Sequence, residues 1–346
     1  MNRGLCLLLV YGALLGACAP AHVDRRLDST PESAATPAAP VTTPAEPGIL
    51  EAESLLDQPL DRPELPPERR AALERDLAEA EARLEAEPAS EDAIIWVGRR
   101  LGYLGRFNEA LDTFTLGLER HPDSYRLLRH RGHRYLTLRR IDDAVDDLVQ
   151  ASRLVIRVAD EIEPDGAPNA AGTPRSTDRF NIFYHLALGY YLRAEYRKAA
   201  SHFSAALDTP LVNDDLRVAA TYWVINCYAR DWVTGRTWVE HTLKRLPAEF
   251  ELYENHAYAD LLELHRGTLT AEAVLARADA APGEFATRAY GVSVWLRLNE
   301  RDDEALALLQ SIIERGNWPA FGHLAAEADL ARMADGTEPT DPRAPR

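Results

Sequence analysis

The 346-residue sequence predicts an all-α body in which antiparallel helical pairs stack side by side, behind a targeting segment and an extended tether. Three observations point there. Identical residues recur 34 positions apart at Gly98 and Gly132, Leu104 and Leu138, Arg106 and Arg140, Ala110 and Ala144, and Asp112 and Asp146. Small and aromatic side chains alternate at helical spacing around these positions. Pro88 and Pro122, also 34 apart, stand where a helix must stop, because proline lacks an amide donor and clashes with the preceding turn. Such arrays grow by stacking units and not by enlarging one core, so length alone does not set the domain count.

The chain opens with Met1-Asn2-Arg3, then an apolar run from Leu5 to Leu15 that is too short to span a bilayer stably, then Leu15-Gly16-Ala17-Cys18. Residues 1–17 are expected to be a signal peptide. Leu15-Gly16-Ala17-Cys18 resembles the bacterial lipobox, which implies that Cys18 receives diacylglycerol and becomes the first residue of the mature protein. Each buried methylene of an acyl chain contributes about 0.8 kcal/mol, so two or more chains hold a protein at a membrane. Ala19 follows the cysteine in place of the inner-membrane retention aspartate. That favours an outer-membrane, periplasm-facing position in the cell envelope. Residues 18–66 are expected to be a disordered linker rich in Pro, Ala, Thr and Ser, with 50–66 transitional.

The first helix is expected over Glu68 to Glu87, where Leu73, Leu77, Ala80 and Leu84 share one face behind Pro66-Pro67. It reads as the surviving second helix of a half repeat. The first full unit starts at Glu91, with Gly98 at its eighth place, Phe107 at the seventeenth, Ala110 at the twentieth, Phe114 at the twenty-fourth and Pro122 at the thirty-second. The second unit, Tyr125 to Val158, carries Ile156 where the stopping proline would stand, so its helix is expected to run on. An insertion follows at 159–179, rich in Pro and Gly and read as a loop. The third unit starts near Phe180 with Ala187, Tyr190, Tyr196, Ala199 and Phe203. Two divergent hairpins, Asp214 to Pro247 and Ala248 to Ala281, precede a final clear unit from Glu284. A helix from Phe321 to Met333 is expected to cap the stack, and 335–346 to form a disordered tail.

Spacing and residue types together resemble the tetratricopeptide repeat (TPR), strongly at 91–158, 180–213 and 284–317 and weakly between. The resemblance implies a TPR-like α-solenoid over 67–334, a right-handed superhelix of helical hairpins that binds proteins or peptides and does not catalyse. It places ligand contacts at the second, fifth, ninth, twelfth and thirteenth positions of each first helix. Those positions hold Asp92, Ile95, Arg99, Gly102 and Tyr103, then Arg126, Arg129, His133, Leu136 and Thr137, then Asn181, Tyr184, Leu188, Tyr191 and Leu192. From these, Arg99, Tyr103, Arg126, Arg129, His133, Asn181, Tyr184 and Tyr191 form the expected protein-binding strip, suited to acidic or C-terminal segments of other envelope proteins. The Lys and Asn clamp of chaperone-binding members is not matched, since Ile95 and Arg99 stand in the first unit.

A net charge of −16 argues against nucleic acid as a partner. Of the 39 basic residues only Lys198 and Lys244 are lysines. With Cys6 and Cys18 in the targeting segment, Cys227 stands alone in an apolar stretch and is expected to be a buried thiol. His130 and His133 share a helix face, yet without further ligands no metal is expected. No cofactor motif, nucleophile elbow, phosphate loop or zinc-protease motif is present. A rival reading makes the chain a solute- or glycan-binding lipoprotein, with a pocket among Trp223, Trp232, Trp238, Trp295 and Trp318.

Overall fold

The helical pairs begin the same way along much of the chain. In the computed structural model, which describes residues 48–164, 176–230 and 235–337, Ser90, Ser124, Thr177 and Asn213 each cap a helix by accepting the amide of the residue three positions on. These side chains satisfy an amide that the helix itself leaves unpaired. The caps open α2 (Glu91–Tyr103), α4 (Tyr125–Thr137), α6 (Asp178–Leu192) and α8 (Asp214–Ala229). Each opens a pair completed by α3 (Phe107–Arg120), α5 (Ile141–Val155), α7 (Tyr196–Leu207) and α9 (Gly235–Lys244). Further along lie α10 (His256–Arg266) with α11 (Ala271–Ala280), α12 (Phe285–Leu298) with α13 (Asp302–Arg315), and a last helix, α14 (Phe321–Asp335). The fold is an all-α, TPR-like stack of helical pairs.

Local chemistry accounts for the repeat. The turn within a pair needs one residue in the left-handed region, filled by Gly105, Arg139, Ala194 and Glu300 at φ between 57° and 74°. Gly98 allows the first pair to close, because a Cβ there would lie 2.3 Å from the Phe114 ring. Ala110, Ala144, Ala199 and Ala305 are wholly buried at the equivalent crossings. The prolines act as expected: Glu87 and His121, just before Pro88 and Pro122, share φ −128° and ψ 67° and end α1 (Pro67–Ala86) and α3 alike. In the second pair α5 nonetheless stops at Val155, so Ile156 does not let the helix run on.

Two regions differ from expectation. Residues 48–66 are not linker: Leu50–Glu53 (β1) and Pro59–Asp61 (β2) form an antiparallel hairpin. Leu60 is buried beside Phe107, Leu111, Leu138 and Trp318. Glu51 accepts the Asn108 amide at 3.0 Å and so caps α3, which has no cap of its own. The hairpin thus satisfies backbone and apolar groups that would otherwise be exposed, which offsets the cost of ordering it.

The second difference is α14. A cap on a stack would keep a polar outer face, but Gly322 through Asp329 are all buried. Arg139 donates from Nε to Glu327 Oε2 at 3.0 Å, pairs with Oε1 through Nη2, and also reaches the carbonyls of Thr137 (2.6 Å) and Trp318 (3.0 Å). Glu327 in turn accepts the Leu55 amide at 3.2 Å. Arg230 pairs with buried Asp329, to which Tyr290 OH donates at 3.1 Å. The last helix therefore turns back onto the turn of the second pair and onto α6. The targeting segment with Cys6 and Cys18, the tether up to residue 47, Trp232, most of the insertion and the tail beyond 337 lie outside the described residues.

Candidate functional site

A half-open cavity of about 440 Å³ lies between the first helices of the first two pairs, α2 and α4. Gly102 leaves room on α2, Gly98 lets the Phe114 ring form part of the wall, and α4 supplies Arg129, His130, His133 and Arg134. The volume falls within the range of ligand pockets, roughly 300–1,000 Å³. Four of the eight expected contact residues line it: Arg99, Tyr103, Arg129 and His133.

The other four are elsewhere and already engaged. Arg126 pairs with Asp92 at 3.0 Å. Asn181 donates to Glu163 at 2.6 Å and to Ser176 at 2.7 Å. Tyr184 is buried among Phe180, His185 and Phe203. Tyr191 is 1% exposed, and its hydroxyl shares a 2.7 Å hydrogen bond with that of Tyr290. The expected continuous strip is thus interrupted at the third unit, where α12 and α14 cover the face that repeat register would leave open.

Charge in the cavity is unbalanced. Its lining holds the guanidinium groups of Arg99, Arg129 and Arg134 against the single carboxylate of Glu163, three positive charges less one negative. Arg129 Nη2 lies 3.0 Å from Glu163 Oε2, and Arg99 Nη1 lies 3.6 Å from Oε1. Arg134 has no carboxylate partner among the described residues. It donates to His133 Nε2 at 3.1 Å and faces the Phe107 ring at 5.1 Å. Burial, reinforced by Arg129, pulls its pKa down to about 10, so it stays charged at neutral pH.

The histidines add no charge. Burial and then the neighbouring Arg129 hold His130 well below its usual range; burial and then Arg134 do the same to His133. Each accepts a hydrogen bond from an arginine, His130 through Nδ1 at 2.8 Å and His133 through Nε2, which fixes the proton on the opposite nitrogen. The two rings face different neighbours: His130 stacks on Phe114, and His133 lies tilted against His185. Among the described residues no three His, Cys, Asp or Glu side chains gather as metal ligands. Cys227 is 2% exposed, and burial pushes its thiol pKa up.

Sequence reasoning missed Arg134 and Glu163. Arg134 stands at the tenth place of its helix, outside the positions that the resemblance assigns to ligands. Glu163 sits in the insertion, which shares no register with the repeats. Its position is set by pairing across the neck of that insertion, where Ile162 bridges Thr177 and the Glu163 amide donates to Ser176 O at 3.0 Å.

The described tryptophans of the rival reading, Trp223, Trp238, Trp295 and Trp318, do not meet in one pocket. Trp223 is core, and Trp318 is buried with its Nε1 donating to Asp61 O at 2.8 Å. Trp238 is 46% exposed and stacks on Tyr228 beside a separate cavity of about 570 Å³. No helix among the described residues is long and apolar enough to cross a membrane.

No protein-family model matches the sequence, and no curated protein is similar to it. Among solved structures, the chain is similar to YrrB, described as a TPR protein with an unusual peptide-binding site, at 15% identity and TM-score 0.37 over 71% of this chain and 95% of that one. It is also similar to BtubC (BKLC) from P. vanneervenii, at 14% identity and TM-score 0.36 over 81% and 95%. The P58(IPK) TPR domain is a third, at 15% identity and TM-score 0.22 over 79% and 90%. Likenesses this distant speak for neither site nor partner.

Proposed function

We propose that the chain is a lipid-anchored scaffold of the bacterial cell envelope, tethered through Cys18 and facing the periplasm, that holds another envelope protein by an acidic segment. The observation that carries this reading is the cavity between α2 and α4, with three guanidinium groups to one carboxylate in a protein whose net charge is −16. Hydrogen bonds to charged groups contribute about 1.5–3 kcal/mol each, and Tyr103 adds rigid apolar contact area beside them. A carboxylate-bearing segment suits that balance; nucleic acid does not, because the acidic remainder of the molecule repels a polyanion. The helical array gives the cavity rigid walls, while the sequence between Cys18 and residue 47 is composed as an extended spacer.

Crosslinking in cells, followed by identification of co-purified proteins, tests the reading. Wild type is compared with Arg99→Glu plus Tyr103→Ala, two changes on the α2 side of the cavity. Recovery of the specific partner is expected to fall at least about tenfold, the effect of losing one charge-assisted contact. Persistence of every partner would reject the cavity as the port. For the anchor, mass analysis of the mature N-terminus should find a diacylglycerol-modified Cys18, and an unmodified N-terminus elsewhere would reject it.

A further inference from the structure

The carboxylate of Glu163 is placed as a ligand would be. It comes from outside the repeats, yet three successive first helices converge on it. Arg99 of α2 approaches at 3.6 Å, Arg129 of α4 at 3.0 Å, His130 of α4 at 3.8 Å and Asn181 of α6 at 2.6 Å. Arg99 also donates to the carbonyl of Pro164 at 2.7 Å, so the backbone next to Glu163 is gripped as well. The residue is 6% exposed although it belongs to an insertion that interrupts the repeat. Its seating leaves the cavity two positive charges in excess, and Arg134 on the same wall still has no carboxylate partner among the described residues.

We propose that Glu163 is the chain's own ligand for this cavity, a tethered carboxylate that occupies Arg99 and Arg129 until a partner's carboxylate displaces it. This rests on the reading of the cavity as the partner's port, and it specifies the chemistry: a carboxylate on a short flexible stem, in competition with an internal copy of itself. Arg134 provides the first landing point, since a second anion can enter while Glu163 is still seated. Displacement then exchanges one carboxylate for another on Arg129, so the buried guanidinium is at no stage left unpaired. An internal competitor lowers apparent affinity by the fraction of time the site is free, and removing it restores the intrinsic value.

The test uses the full-length chain in detergent, with propionate, the side-chain analogue of glutamate, as probe and propionamide as its uncharged isostere, at matched ionic strength. In Glu163→Gln, propionate is expected to raise the melting temperature by about 3 °C or more while propionamide does not; wild type should rise by less than about 1 °C. The apparent Kd for propionate is expected to be at least about tenfold lower in the variant than in wild type. Glu163→Asp keeps the charge but withdraws it by one methylene, and should respond in between. It decides the matter alone if Glu163→Gln does not fold. Equal responses to propionate and propionamide, or equal propionate responses in wild type and variants, would overturn the proposal. Carboxylate rescue without loss of a cellular partner in the Arg99/Tyr103 variant would reject the cavity as the partner's port and leave Glu163 as its internal ligand, and partner loss without rescue would reject the internal ligand only.

Discussion

The twelfth place of the first helix holds Gly102 in the first pair and Tyr191 in the third, and that one difference separates an open face from a closed one. At Gly102 there is no side chain, and the space is bounded by the Arg134 guanidinium, 3.3 Å from where a Cβ would stand. At Tyr191 a full ring packs on Trp223 and its hydroxyl meets Tyr290, under cover of α12 and α14. The repeat supplies the same scaffold at both sites. Whether its face becomes a cavity or a core depends on the volume placed there and on what the rest of the chain lays against it.

The largest way to break this contrast is to release α14. Replacing Glu327 with Ala should cost about 3–5 kcal/mol, because Arg139 is left buried without a carboxylate, and Arg139→Ala should cost less, since His323 stays 3.1 Å from Glu327. Replacing both with apolar residues should cost far less. Denaturant melts of the single and double variants measure it, and equal losses in single and double variants would show that the pair does not hold the closed face.

Acid should be the next largest perturbation. His185 lies between the two regions, against His133 at 4.4 Å and Phe321 at 5.6 Å. Burial, followed by Arg129, depresses its pKa to about 3, against a hydrogen bond to Asn181 O that works the other way. The unfolded state therefore takes the proton first, near pH 6.5. The stability contributed by the neutral ring is complete above that pH and is lost as pH falls towards 3. The slope is about 1.4 kcal/mol per pH unit, or about 2 kcal/mol between pH 6.5 and 5. Asp178 opposes this: burial and Glu163 raise its pKa to about 6, so its protonation favours the native state from there down to 3.8. In a thermal melt series His185→Phe should flatten the acid limb, and an unchanged limb would count against the assignment.

Packing at the first pair offers a smaller test. Ala110→Leu should cost about 1–3 kcal/mol through overpacking at a fully buried crossing, and an unchanged melting temperature would deny that this pair is close-packed. The smallest stability effect, within about 1 kcal/mol, is expected for Gly102→Leu, where the gain in helix propensity offsets the displacement of Arg134. Placed in the Glu163→Gln background, it should still abolish propionate binding, because it gives the first pair a side chain where the third has one. Retained binding with retained stability would show that the glycine does not make the cavity.

The helical pairs were legible because close crossings demand small residues at fixed spacing, and Gly98, Gly132, Ala110 and Ala144 carry that demand in the sequence. The hairpin was not legible. Strands of four and three residues leave no periodic signal, and their stability comes from Asn108, Trp318 and Glu327, far away in the chain. The role of α14 was hidden likewise, since nothing local to Glu327 or Asp329 shows that Arg139 and Arg230 await them. Half of the candidate strip, Arg99, Tyr103, Arg129 and His133, was found by register alone. Arg134 and Glu163 were not, because one lies off the register and the other belongs to a segment without any.

Closure by Arg139 and Glu327 also bears on how such a protein can change over time. An open stack tolerates duplication or loss of a pair, since each unit meets only its neighbours. Here 188 residues separate two side chains that must meet, and one added pair would push them apart by roughly 10 Å, the distance between packed helices. An added pair would therefore cost this contact, whereas a segment such as the insertion enters the array without lengthening it.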